Sequence, residues 1–147
     1  WIAITEHRNR EQSFTYKQIF DEYFPGQILV FPGWEREEHP VGYHFASYEV
    51  GEFLLPNGHV FRNYCHPGRP SRSIEIQGVQ SIEIDNKLHN WHIDKTKVRE
   101  IAAEHGLLLT MVSDAHRLED IGTNYVEVDL EDLCSRGVML DGWEQFQ

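Results

Sequence analysis

The feature that most constrains this chain is a capped helix that leads straight into a strand. Asp94 stands at an N-cap position, Val98, Ile101 and Ala102 follow at helical spacing, and Gly106 stands where a helix ends on a left-handed residue. Leu107 to Val112 then reads as a strand. Five β-rich runs precede it: Trp1 to Thr5, Ile28 to Phe31, Val41 to Ala46, Val60 to Cys65 and Val79 to Ile84. Tyr125 to Val128 is a weaker seventh. A second helix is expected from about Thr15 to Phe24, where Ile19, Phe20, Tyr23 and Phe24 share a face before Pro25-Gly26 breaks it. A short one is expected over Leu130 to Ser135, while Ser47 to His59 and Pro67 to Gly78 read as loops. Strands alternating with helices predict an α/β fold with a parallel sheet or barrel.

Bulk properties narrow the function. The 147 residues, 40% of them hydrophobic, suffice for one core, so 1–147 is expected to be one domain, with a core of about 1–122 and an extension over 123–147. Cys65 and Cys134 form no C-x-x-C pair or disulfide framework, so reduced thiols are expected. There is no signal-peptide pattern and no apolar run of about 18 residues, which predicts a cytoplasmic protein with no membrane partner. The net charge of −11 disfavours a broad electrostatic footing on nucleic acid. Bound divalent cations would offset part of that charge, so nucleic acid stays open as a substrate.

The chemistry lies where the strands end. Ile4-Thr5-Glu6-His7 closes the first and Pro32-Gly33-Trp34-Glu35 follows the second. Tyr64-Cys65-His66-Pro67-Gly68-Arg69 closes the fourth, and Val112-Ser113-Asp114-Ala115-His116 the sixth. Loops past the carboxyl ends of parallel strands are where α/β folds build active sites. Imidazoles and carboxylates repeated there are the donor set that suits Zn, Mn or Fe.

In order and position these motifs resemble the polymerase and histidinol phosphatase (PHP) family of metal-dependent hydrolases, over roughly Trp1 to Gly122. The most specific part is Ser113 to His116 followed by Leu118-Glu119-Asp120-Ile121-Gly122, and Gly78 to Asn86 resembles the family strand before the last helix. The resemblance implies a distorted seven-stranded (β/α) barrel. It places metal ligands at His7, Glu35, His66, Asp114 and His116, with Glu35 as bridging carboxylate and His39, preferred to His44, as the remaining ligand. It implies two or three divalent ions in the complete domain. The family's opening His-x-His strand is absent, and it is expected to lie upstream of Trp1. Glu6 stands where the family usually has Asp.

The activity implied is phosphoester hydrolysis by a metal-activated water, with Glu35 and Asp114 as catalytic carboxylates and Arg69, with Arg8 or Arg10, meeting the substrate phosphate. A phosphomonoester of a small metabolite or nucleotide is the expected substrate. The alternatives are a phosphodiesterase or nuclease, and a degenerate non-catalytic scaffold. His59, His89, His92 and His105 have no motif support, and the oligomeric state is not legible.

Overall fold

The computed structural model describes residues 1–7, 9–42 and 46–146. Six strands form one sheet in the order β1-β2-β3-β4-β5-β6: β1 Ile2–Glu6, β2 Val30–Glu38, β3 Tyr48–Leu54, β4 Val60–Pro70, β5 Ser81–Asn86 and β6 Leu108–Val112. Among the described residues there are three α-helices, α1 Arg10–Tyr23, α2 Lys95–His105 and α3 Leu130–Arg136. The fold is thus mixed α/β, and no helix of the described residues is long and apolar enough to cross a membrane.

Two of the expected strands needed correction. Val41 and Gly42 lie in a turn and Ala46 in coil, while the third strand is Tyr48–Leu54, inside the stretch expected to be a loop. Residues 125–129 form no strand. The third strand also changes the sheet. β1 and β2 pair in parallel, Ile2 opposite Val30, as do β4 with β5 and β5 with β6. The contacts of β3 with β4, however, match Glu52 with Arg62 and Glu49 with His66, so the residue numbers run in opposite directions and that pair is antiparallel. A tight turn joins them, with the Leu55 N–H donating to the His59 carbonyl at 2.8 Å. The sheet is therefore mixed, and β3 begins at the end where its neighbour β4 carries His66.

The chain divides into two compact units. The first comprises Trp1–Arg36, Gly51–Arg62 and Leu130–Gln147. Its core holds Val30, Phe31, Phe53, Val60, Phe61, Leu133 and Trp143, all buried. Helix α1 starts five residues earlier than its apolar spacing suggested, because Asn9 caps it by accepting from the Gln12 N–H at 3.3 Å. Its expected apolar face is largely outward, with Ile19, Tyr23 and Phe24 exposed. The helix is held instead by buried Ser13, whose hydroxyl accepts from the Gly33 N–H at 2.9 Å, and by Phe14 stacked on Phe146. Gly33 is required there, since a Cβ would come within 2.4 Å of the Glu52 carbonyl oxygen.

The second unit comprises Glu37–Val50 and Asn63–Asp129. Val98 and Ala102 of α2 pack on Ile82, Ile84, Tyr64 and Tyr48 in its core, and full burial of a side chain the size of Val98 stabilises by about 1.5–3 kcal/mol. The helix is bounded as its caps predict. Asp94 Oδ1 accepts from the N–H groups of Thr96 and Lys97, both at 3.1 Å, and Gly106 adopts φ 65°. Asp94→Ala should lower stability by about 0.5–2 kcal/mol, read as a shift of the urea midpoint with unchanged slope.

Candidate metal centre

On β5 successive side chains alternate between two environments. Ile82 and Ile84 enter the apolar core, whereas Ser81 and Glu83 are buried among polar groups. Burial of such groups is tolerated only when they are hydrogen bonded. Asn63 Oδ1 accepts from Ser81 Oγ at 2.7 Å and from Thr110 Oγ1 at 2.8 Å, and Asn63 Nδ2 donates to Glu83 Oε1 at 2.9 Å. Glu83 Oε2 accepts from the backbone N–H of His66 at 2.7 Å and from Asn86 Nδ2 at 3.0 Å. Asn86 Nδ2 also donates to Asp114 Oδ2 at 3.1 Å, and its Oδ1 accepts from the N–H groups of Leu88 and His89, both at 2.9 Å. A single buried network thereby fixes the backbone at His66 and His89 and one oxygen of Asp114.

Those three residues form a group. One ligand atom from each of His66, His89 and Asp114 lies within 4.8 Å of the others. Bonds from a transition metal to such donors are about 2.0–2.2 Å, so opposite ligands of one ion span roughly 4 Å. A modest closure would bring the set onto a single cation.

Two of the three also sit in unusual backbone. His66 has φ 26° and Asp114 φ 48°, the non-glycine positive values among the described residues. Each such conformation costs about 1–3 kcal/mol and persists where the surroundings enforce it. Here Glu83 holds the backbone N–H of His66, and Asn86 holds the carboxylate of Asp114.

The electrostatics suit metal ligation. Burial, and then the neighbouring His66 ring, hold the His89 imidazole below its ordinary value, against the opposing pull of Asp114. His92 is lowered in the same way, by burial first. A lowered value keeps an imidazole neutral near pH 7, and the neutral form is the one that binds metal. Glu49 Oε2, at the start of β3, lies 2.8 Å from His66 Nε2 and so fixes the ring.

The residues marked in the sequence are distributed as follows. His66 and Asp114 come together. His116 is exposed, its Nδ1 lying 2.9 Å from the Asp114 carbonyl oxygen and 3.6 Å from Asp114 Oδ1. Arg69 is exposed, with Nη1 3.0 Å from His89 Nδ1. His39 does not begin a strand as expected. It follows β2, exposed, with Nδ1 3.0 Å from the Ala46 carbonyl oxygen, and it is not in the group of His66, His89 and Asp114. In the first unit, His7 Nδ1 lies 4.0 Å from Glu35 Oε1, with Glu35 buried, and Trp34 Nε1 donates to the His7 carbonyl at 3.3 Å. Arg10 lies over the rings of Trp143 and Phe146, which is a packing role. Arg8 and His44 lie outside the described residues.

Sequence reasoning missed His89, Glu49, Glu83 and Asn86. Only Asn86 left a signal, because an Asn two and three residues before the N–H groups it accepts is the pattern of an Asx turn.

Residues 92–136 match the family model described as PHP-associated, a stretch that holds α2, β6 and the Ser113–His116 turn, and the match is consistent with a PHP-family protein. No curated protein matches the chain, and no solved structure does.

Proposed function

We propose that the chain acts as a metal-dependent phosphoesterase of PHP type, hydrolysing the phosphomonoester of a small metabolite or nucleotide. On this reading its six strands belong to the family's distorted seven-stranded barrel. The observation that carries the proposal is the grouping of His66, His89 and Asp114 on one buried hydrogen-bond network. Two imidazoles and a carboxylate accept Zn, Mn or Fe. A divalent cation held there would supply positive charge toward phosphoryl oxygens and make a nearby water more acidic.

The protein's own groups have separable roles in this reading. Glu83 and Asn86 hold the backbone and carboxylate that present the ligands, and Glu49 orients the His66 ring. The planar fork of Arg69 would receive a phosphate oxygen beside His89. His7 and Glu35 are proposed as a further ligand pair, with His116 and His39 as additional ligands. Proton handling is assigned to Asp114 and Glu35.

The test is metal analysis of the purified full chain together with turnover of p-nitrophenyl phosphate. At least one ion of Zn, Mn or Fe per chain is expected, and Asp114→Ala should lose it and lower turnover roughly a hundredfold or more. Faster cleavage of bis-p-nitrophenyl phosphate would move the substrate to a phosphodiester. A metal-free protein whose properties Asp114→Ala leaves unchanged would make the fold a non-catalytic scaffold.

A further inference from the structure

A cleft of about 570 Å³ opens in the second unit beside the His66-Pro67-Gly68-Arg69 end of β4, lined in part by Arg69, Arg72, Trp91, His92, Asp94 and Lys97. Its size falls in the range of small-molecule sites, about 300–1,000 Å³. Its charge runs against that of the chain. In a sequence with 24 acidic and 13 basic residues, three cations border this one cleft. Among the described residues, Arg72 and Lys97 have no carboxylate partner, and Arg69 Nη1 lies 3.0 Å from His89 Nδ1. The single acid, Asp94, is occupied as the cap of α2, accepting two backbone N–H groups.

The cleft also displays an aromatic surface. Trp91 is 82% exposed, which is unusual for so large an apolar ring. Its orientation is supported by the His92 ring, perpendicular to it at 4.7 Å between centroids. An exposed indole among cations without acidic partners offers two things at once. One is a flat face for a planar ring, and the other is a cluster of donors for phosphate oxygens.

We infer that this cleft is a nucleotide-binding subsite, in which a nucleobase stacks on Trp91 while Arg72 and Lys97 meet its phosphate. Arg69 borders the cleft and also contacts His89, so a ligand seated here has its anionic end next to a candidate metal ligand. Neither the stacking nor the phosphate contacts require hydrolysis or a bound cation, so the inference goes beyond the hydrolytic reading and stands apart from it.

The experiment is calorimetric titration of the full chain in excess chelator with adenosine 5′-monophosphate, ribose 5-phosphate and adenosine. Adenosine 5′-monophosphate is expected to bind, and each of the other two to bind at least fivefold more weakly, since each lacks one of the two recognised parts. Base stacking on an aromatic ring is worth between roughly fivefold and a hundredfold in affinity. Trp91→Ala should therefore bring adenosine 5′-monophosphate down to the affinity of ribose 5-phosphate, while Trp91→Phe retains most of the difference. Arg72→Gln with Lys97→Gln should bring it down to the affinity of adenosine. Equal binding of adenosine 5′-monophosphate and ribose 5-phosphate, an affinity untouched by Trp91→Ala, or no binding at millimolar nucleotide would each overturn the inference. Because no cation is present in the titration, none of these results bears on the phosphoesterase proposal.

Discussion

Glu83→Leu is expected to lower stability by roughly 3–5 kcal/mol and to abolish the metal retention proposed above. Glu83 is 3% exposed and, among the described residues, accepts from the His66 N–H, Asn63 Nδ2 and Asn86 Nδ2. Leucine fills a similar volume but accepts nothing, and each buried donor left unsatisfied costs about 1–3 kcal/mol. Asn86 keeps Asp114 as a partner, which holds the total below the sum of three full penalties. The second consequence is local. Without the carboxylate the backbone N–H of His66 loses Oε2 as its acceptor, and φ 26° loses the contact that enforces it. Glu83→Gln keeps the shape and one acceptor oxygen, so it should lose about half as much. Urea unfolding followed by metal analysis measures both effects. A Glu83→Leu protein that unfolds at the native midpoint would show that the network is not what holds these residues.

Glu52→Leu should cost a similar amount, roughly 3–5 kcal/mol, in the first unit. Glu52 is 1% exposed, and its carboxylate meets Arg62 Nε at 3.0 Å, Arg36 Nη2 at 3.1 Å and Trp143 Nε1 at 3.3 Å. Removing it takes the Glu52 carboxylate away from the buried Arg62 guanidinium, and breaking a buried ion pair from one side is strongly destabilising. The double variant Glu52→Leu/Arg62→Met removes both charges together and should recover most of the loss, because a well-packed apolar pair often equals a buried ion pair. Thermal and urea unfolding of the three proteins would show whether the single variant is less stable than the double. Equal stability of the two would mean that desolvation of Arg62 is not the cause.

The carboxylates of Glu49 and Glu52 explain why the third strand was illegible. Tyr48-Glu49-Val50-Gly51-Glu52-Phe53-Leu54 carries two glutamates and a glycine, which reads as a solvated loop. In the fold Glu52 is neutralised by arginines of β2 and β4, and Glu49 meets His66 of β4. Neither partner is near in sequence, so no local pattern marks the segment as a strand. The antiparallel direction of β3 follows from the same contacts, and it brings Glu49, a strand-start residue, to the ring of His66, which strand-end reasoning had no means to expect.

The candidate site was legible in part. His66 and Asp114 stood out because each belongs to a motif read at the end of a strong strand; His66 lies within β4 and Asp114 follows β6, and the structure brings them together. His89 had no such motif, since its place is set by Asn86 accepting its N–H and by Asp114 facing its ring at 3.7 Å.

By itself the sequence determined the elements whose causes are local. The boundaries of α2 rest on Asp94 and Gly106, which act on backbone groups within a few residues. The strand-end turns with their imidazoles and carboxylates were equally plain. Only the tertiary structure decided the partners: which buried carboxylate meets which arginine, which strand runs backwards, and which histidine joins His66 and Asp114. The physical reason is that a buried polar group is stabilised by whatever donor or charge the fold brings against it, and that neighbour is set by packing across the sheet rather than by spacing along the chain.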